Sequence, residues 1–447
     1  MSSGTPTRQR VAFGHPLADR QRVVVVGQGY VGLPAARAAV DAGHAVVGYD
    51  IDTAKIAALR AGQSPIDDLT DADIASMLAS GRYQPTADPA DLAGFQVALV
   101  TVPTPLREGH PDLGAVIAAA SVLAEHVTPS ALVVLESTVA PGTTDGEFRA
   151  TLERNAAGCT VDNGQLLVGF SPERIDPGNT RWHFANTPKL VAGADGASRA
   201  AVRQFYSTIC DTVVTCPSPA TAEMAKLLEN TYRHVNIALV NELGRHAHEL
   251  GVSIWDVLDA AATKPYGFQR FNPGPGVGGH CLPVDPAYLS DRIERSLGRP
   301  FDFVDLAMRV NAAQPRYVFD RVTALLNNHR IAVNGASVLV LGLAYKANSG
   351  DTRETPTNSL IQLLCRNGAS VSVCDPLVRD LPAQLERDYP GVKPIAPADV
   401  LDAAQLADLC VLVTDHDEFD YAAISEAARR VLDTRNRCAT AAHVQKL

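Results

Sequence analysis

The chain has 447 residues, 46% hydrophobic and 20% charged, which is too long for one ordinary core and balanced like a soluble protein. A formal net charge of −10 disfavours nonspecific nucleic-acid binding, which needs clustered Lys and Arg, but leaves room for a local basic pocket. No apolar run reaches the roughly 18 residues of a membrane span. Residues 1–20 lack an apolar signal core, and the eight cysteines form no CxxC pair, which predicts a cytoplasmic, reduced protein behind a flexible tail.

The first element is the β-branched run Val23–Val26, ending in Gly27-Gln28-Gly29-Tyr30-Val31-Gly32. It reads as a buried parallel strand, a tight turn and a helix start. The helix is expected from Leu33 to about Ala42, stopping at Gly43. A second strand, 45–49, ends at Asp50. In this context the glycine turn is a dinucleotide signal. Gly27 permits the turn, Gly29 lets backbone approach a pyrophosphate, and Gly32 allows close packing. Tyr30 and Val31 at the turn's tip belong to the same predicted cofactor site. Asp50 is placed to bond the ribose hydroxyls and repel a 2′-phosphate, so NAD is favoured over NADP. The plain alternative is a structural strand–turn–helix.

Strands over 97–102 and 132–135 lead into two Pro-rich turns. These carry Thr104 and Thr138 to the strand ends, where ligands bind in such sheets. Ser171-Pro172-Glu173-Arg174 is a third polar turn able to reach that cleft. Helical spacing then runs over 220–250, about 31 residues or roughly 46 Å. Lys226 and Asn230, one turn apart, share a face and could stabilise an oxyanion. From spacing alone, a solvated helix face is the better reading of that pair. Arg233 and His234 add polar content.

The segment 272–286 is the most informative. Gly274, Gly276, Gly278 and Gly279 suit a loop closing on a ligand. It ends in His280-Cys281 and, four residues later, Asp285. A thiol here can attack an aldehyde, hold the adduct during a second hydride loss, and leave from a thioester. His280 favours the thiolate, and Asp285 could activate the hydrolytic water. The competing reading is a buried structural cysteine. After a helix over 302–327, interrupted near Pro315, the opening pattern returns at Val338–Tyr345. Gly368 precedes Asp375 by seven residues, as Gly43 precedes Asp50. Gly342 to Gly368 spans ten more residues than Gly27 to Gly43, and the excess falls in a polar loop with Lys346 and Arg353. The expected architecture is α/β: two Rossmann-like, doubly wound parallel-sheet domains, 21–216 and 316–447, joined by a helical central domain, 217–315.

Seven ordered segments carry a resemblance to the UDP-glucose/GDP-mannose dehydrogenase family: GQGYVGLP, VPTP, ESTVAPGTT, FSPERIDPGN, KLLEN, PGVGGHCLPVDP and LGLAYKANSGDTRETP. It extends from about Val23 to Arg435. The resemblance implies two successive hydride transfers to NAD, with Cys281 forming a thiohemiacetal and then a thioester. It implies Lys226 and Asn230 as the oxyanion pair, Asp285 as the carboxylate assisting hydrolysis, and Glu173 and Thr138 as residues positioning water and substrate. It assigns Lys346 and Arg353 to the nucleotide end of the UDP-sugar site, whose remaining wall is expected from Arg174, Arg233, Gly278 and His280. It also implies a homodimer or higher homo-oligomer built on the central helices, with no metal.

UDP-glucose and GDP-mannose members tend to have Ser before the Cys and Lys before the Asp. This chain has His280 and Val284, so it resembles the branch acting on UDP-GlcNAc or UDP-ManNAc. Three rivals remain: a UDP-glucose 6-dehydrogenase, a two-electron NAD dehydrogenase, and a non-catalytic nucleotide-sugar-binding protein. The combination of Cys281, Lys226, Asn230 and Asp285 argues against the last.

Overall fold

The structure is a computed structural model that describes residues 20–66, 68–175, 179, 181–279 and 282–447. The predicted tail falls almost wholly outside the described residues, as do His280 and Cys281.

The first sheet has eight strands: β1 (Arg22–Val26), β2 (Ala45–Tyr49), β3 (Tyr83–Thr86), β4 (Val97–Val100), β5 (Ala131–Leu135), β6 (Leu166–Phe170), β7 (Lys189–Gly193) and β8 (Val213–Thr215). Their order is β8-β7-β6-β5-β4-β1-β2-β3. Strand order reverses between β1 and β4, which opens a crevice at their carboxyl ends. Val24 and Val26 pack on one face of β1, and Val23 and Val25 on the other. Burial on both faces is why the strand is valine from Val23 to Val26. Each such side chain contributes about 1.5–3 kcal/mol. The sheet departs from the all-parallel expectation at one edge: β7 pairs antiparallel to β6, and β8 follows β7.

The helix Gly32–Asp41 follows the glycine turn, and Gly43, at φ +91°, closes it. The long helix is unbroken over Pro219–Glu249, with Ser218 capping its start. Helices Asp285–Leu297 and Asp302–Ala312 pack against it. The break near Pro315 lies at Ala313, and the next helix, Gln314–Asn328, has Pro315 in its first turn.

A second sheet follows: β9 (Ser337–Leu341), β10 (Ser370–Cys374), β11 (Lys393–Ile395), β12 (Leu409–Leu412), β13 (Val431–Asp433) and β14 (Val444–Lys446). It is parallel throughout, in the order β11-β10-β9-β12-β13-β14. The two Rossmann-like sheets and helical centre match the expected fold class. Among the described residues, no helix is long and apolar enough to cross a membrane.

Candidate active site

One cavity of about 620 Å³ collects residues from all three parts of the chain. Its floor is the first glycine turn. Gly27 stands at φ +95°, and a Cβ there would lie 2.8 Å from the Thr101 carbonyl oxygen. A Cβ on Gly32 would lie 1.8 Å from the Gly27 carbonyl, so Gly32 packs the helix onto the turn. A Cβ on Gly29 would meet nothing within 4 Å. The turn is therefore tight inside and open outside, as a pyrophosphate-binding backbone must be.

Asp50 ends β2 beside that turn. Its Oδ2 accepts the Gln28 N–H at 2.9 Å and pairs with Lys55 Nζ at 2.8 Å, and its Oδ1 accepts the Asp52 N–H at 3.0 Å. Burial pushes this carboxyl up, but Lys55 and the two backbone donors outweigh burial and hold it below the usual carboxylate range. These residues fit NAD: an open turn for the pyrophosphate and an ionised acid for the ribose. Tyr30, Val31 and Thr104 also line the cavity, and the Thr104 carbonyl accepts the Tyr288 hydroxyl at 3.0 Å.

The opposite wall is the long helix. Lys226 and Asn230 are both buried, so the solvated-face reading is wrong. Cover comes from the helix Asp285–Leu297, far away in sequence, which packs on the long helix and brings Asp285 to Asn230. Lys226 Nζ donates to Thr138 Oγ1 at 2.5 Å. Asn230 Nδ2 donates to Asp285 Oδ2 at 2.6 Å, while its Oδ1 accepts Arg233 Nη2 at 2.9 Å. Asp285 opens its helix, where the dipole favours an acid. Burial nevertheless pushes this carboxyl above the usual range, against the pull of Lys226, Asn230 and Arg233.

The glycine loop enters between the helix and the C-terminal domain. Gly274 N–H donates to Asn241 Oδ1, and Gln314 Nε2 donates to the Gly274 carbonyl, both at 2.9 Å. A Cβ on Gly278 would lie 2.7 Å from the Glu354 carbonyl oxygen, and one on Gly279 2.7 Å from the Tyr345 ring. The glycines thus let two domains meet at backbone distance. Gly278, Gly279 and Leu282 line the cavity, bracketing His280 and Cys281.

The roof comes from the C-terminal domain: Tyr345, Lys346, Arg353 and Arg435. Arg353 forms a two-pronged pair with Asp351, at 2.6 Å for its closest contact. Its guanidinium lies 4.6 Å from the ring centre of Tyr30, bridging the two nucleotide-binding halves. Arg174 lines the cavity but is engaged by Glu229 at 2.7 Å and by the Pro188 carbonyl at 2.8 Å. Glu173 faces the cavity from its turn, backed by Lys189.

Sequence reasoning missed Lys55, Glu136, Lys189 and Arg435. Glu136 lay within a quoted motif and Arg435 at the end of the resemblance. Lys55 and Lys189 gave no local signal. Among the described residues, no group of His, Cys, Asp and Glu could hold a metal ion.

Models of the UDP-glucose/GDP-mannose dehydrogenase family match along the chain: its NAD binding domain over residues 21–210, its central domain over 220–313 and its UDP binding domain over 339–440. The UDP-N-acetyl-D-mannosamine dehydrogenase of Pyrococcus horikoshii is 32% identical over 421 residues, covering 93% of this chain and 95% of that protein. The UDP-N-acetyl-D-glucosamine 6-dehydrogenase of Pseudomonas aeruginosa is 36% identical over 361 residues, covering 80% and 83%. The solved structure of the Pyrococcus horikoshii UDP-D-ManNAc dehydrogenase superposes with a TM-score of 0.84 at 30% identity, covering 95% of this chain and 98% of that one. The chain belongs to the UDP-glucose/GDP-mannose dehydrogenase family of NAD-dependent nucleotide-sugar oxidoreductases.

Proposed function

We propose that this enzyme oxidises the C6 hydroxymethyl of a UDP-N-acetylhexosamine, UDP-GlcNAc or UDP-ManNAc, to the carboxylate. The observation that carries the reading is the single cavity shared by the glycine turn, the Lys226–Asn230–Asp285 cluster and the C-terminal cations. His280 and Val284 in the loop motif, and relatives named for both N-acetylated sugars, support the substrate class.

NAD, when bound, accepts a hydride in each of the two oxidations. Gly27, Gly29 and Asp50 hold it at the first sheet. Lys346, Arg353 and Arg435 supply positive charge for the diphosphate of the sugar nucleotide. Lys226, held by Thr138, faces the sugar oxygen as its proton passes to water and its carbon gives up the hydride. Asn230 has one Nδ2 hydrogen left to donate beside it. Cys281 adds its sulfur to the aldehyde carbon, and that carbon becomes a thioester on losing its second hydride. Asp285 takes a proton from water as the water oxygen bonds to carbon and the C–S bond breaks, returning the thiol and the acid. That Gly279 and Leu282 both line the cavity supports this role for Cys281, which lies outside the described residues.

The exposed Leu228, Tyr232, Leu239 and Leu243 on the long helix support a homodimer through the central helices. The seven described cysteines are all free, which supports a reducing, cytoplasmic setting.

The test is a panel of UDP-GlcNAc, UDP-ManNAc, UDP-GalNAc and UDP-glucose, with NADH and product measured. Two NADH per sugar and a uronic acid, fastest with UDP-GlcNAc or UDP-ManNAc, are expected. Cys281→Ala should lower acid formation by at least about a thousandfold while NAD still binds. One NADH per sugar with an aldehyde product, or unchanged turnover in that variant, would overturn the reading.

A further inference from the structure

Behind the Glu173 turn lies a buried charge cluster that none of the steps above uses. Lys189 heads β7, the strand that pairs antiparallel to β6, and is 3% exposed. Its ammonium lies 2.9 Å from Glu136 Oε2 and 2.6 Å from Glu173 Oε2. Tyr206, from the helix Gly196–Ile209, donates its hydroxyl to Glu136 Oε1. The Phe184 ring lies 4.5 Å from the ammonium. A cation in so apolar a place is retained only with partners, and here two carboxylates share one ammonium. Both Glu136 and Glu173 line the cavity, whereas Lys189 stands behind them.

The cluster leaves Glu173 little freedom. Its Oε1 accepts the N–H groups of Arg174 and Ile175, at 2.6 and 2.7 Å. Its Oε2 accepts from Lys189, so one acceptor site remains on that oxygen. We propose that Lys189 is a positioning residue for the oxidation, holding Glu173 as a fixed acceptor whose free site receives a water or the sugar hydroxyl. The kinetic part of this inference rests on the functional reading above. The structural part does not.

The titratable and charged groups facing Lys189 and its partners are Glu136, Glu173, Tyr206, Cys210, Asp211 and the neighbouring Arg174. Tyr206 is held neutral by burial and by Glu136, and burial pushes the Cys210 thiol up to about 12. Lys189 is therefore the one group in the cluster that offsets both carboxylates. Without it, two buried acids face each other and one must take up a proton. Burial and the facing Glu173 already push Glu136 upward, and with the ammonium gone the donor that fixes Glu173 Oε2 is lost as well.

Lys189→Met, Lys189→Arg and the double variant Glu136→Gln/Lys189→Met test this. The double variant removes a cation and an anion together, so it serves if the single variant does not fold. In Lys189→Met, kcat for acid formation should fall about 10–100-fold, as when the partner orienting a reacting group is lost. The acid limb of the kcat–pH profile should move upward, with the Kd for NAD unchanged by fluorescence titration. Lys189→Arg should restore most of kcat and the original profile. Infrared difference spectra at neutral pH should show a new protonated-carboxyl band in Lys189→Met that the double variant lacks, because burial pushes Glu136 upward once its ammonium is gone. Wild-type kcat and an unmoved pH profile in Lys189→Met or the double variant, or no new band, would overturn the inference. One NADH per sugar in the wild type would instead overturn the functional reading, leaving the infrared result to decide what Lys189 does.

Discussion

The two Rossmann-like domains begin with the same hinge and finish it in opposite ways. Gly27 and Gly342 sit at φ +95° and +93°, and each donates its N–H at 2.8 Å to the last carbonyl of the neighbouring strand, on Tyr49 and Cys374. Thr101 and Thr414 pack against them, and an acid, Asp50 or Asp375, directly follows the neighbouring strand. In the first domain Asp50 takes only the Gln28 N–H of the turn, and Gly29 faces open space. In the second, Asp375 Oδ2 accepts both Leu343 N–H, at 2.6 Å, and Ala344 N–H, at 3.0 Å. Buried His416 adds a third contact at 3.0 Å. The amides that could cradle a phosphate are consumed from within. The first turn thus remains a receptor for an external anion, while the second is sealed by an internal one. The second domain's cavity-facing cations, Lys346, Arg353 and Arg435, accordingly stand outside its turn.

Removing the two acids should separate these roles most widely. Asp375→Ala strips acceptors from Leu343, Ala344, Leu377 and Val378 N–H and a partner from His416. Breaking a buried charged network of this kind costs about 3–5 kcal/mol. Asp50→Ala should cost much less stability, about 1 kcal/mol. It should weaken NAD by roughly 10–100-fold through lost ribose bonds. Urea denaturation and NAD titration on both variants decide the matter. Equal losses of stability would erase the distinction between an open and a sealed turn.

The glycines give a smaller contrast. A Cβ on Gly342 would lie 2.5 Å from the Thr414 Cβ, on a backbone that disfavours side chains. Gly342→Ala should therefore destabilise by at least about 2 kcal/mol. Gly29→Ala meets no neighbour, so its stability should change by no more than about 0.5 kcal/mol. The new methyl would occupy pyrophosphate space and weaken NAD by roughly tenfold, or about 1.4 kcal/mol. Normal NAD affinity in Gly29→Ala would place the pyrophosphate elsewhere.

Much of this comparison was legible before any coordinates. Valine runs such as Val23–Val26 announce strands buried on both faces, and the seven-residue spacings to Asp50 and Asp375 announce a repeated unit. The sealing of the second turn was not legible. Asp375 occupies the same register as Asp50, and only the third dimension shows where its oxygens point. The burial of Lys226 and Asn230 was hidden for a similar reason, since their cover lies some fifty residues downstream. Lys189 heads a short run, Lys-Leu-Val-Ala-Gly, that carries no sign of strand direction. Neither the reversed edge of the sheet nor the buried ammonium follows from it.

A third carboxylate sharpens the comparison from the other side. Asp50 and Asp375 are both held below the usual range by donors that outweigh burial. Each therefore contributes stability that is present above its unfolded value, near 3.8, and lost as pH falls through the lower folded value. Asp285 is shifted upward, because burial outweighs Lys226, Asn230 and Arg233. The sign reverses: its contribution is full below the unfolded value and is lost as pH rises through the raised folded value. Once ionised, Asp285 is a cost kept at the reacting centre. Asp285→Asn retains an oxygen for Asn230 Nδ2 while removing the charge, so stability at pH 8 should rise by about 1 kcal/mol. At pH values below the carboxylate range the gain should vanish. Acid formation should fall, while burst-phase NADH from both oxidations persists, because Asp285 acts only on the thioester. Urea denaturation of wild type and variant at both pH values reads the difference. A variant less stable than wild type at pH 8 would mean that Lys226 and Arg233 offset the burial of Asp285 as fully as the donors around Asp375 offset its own.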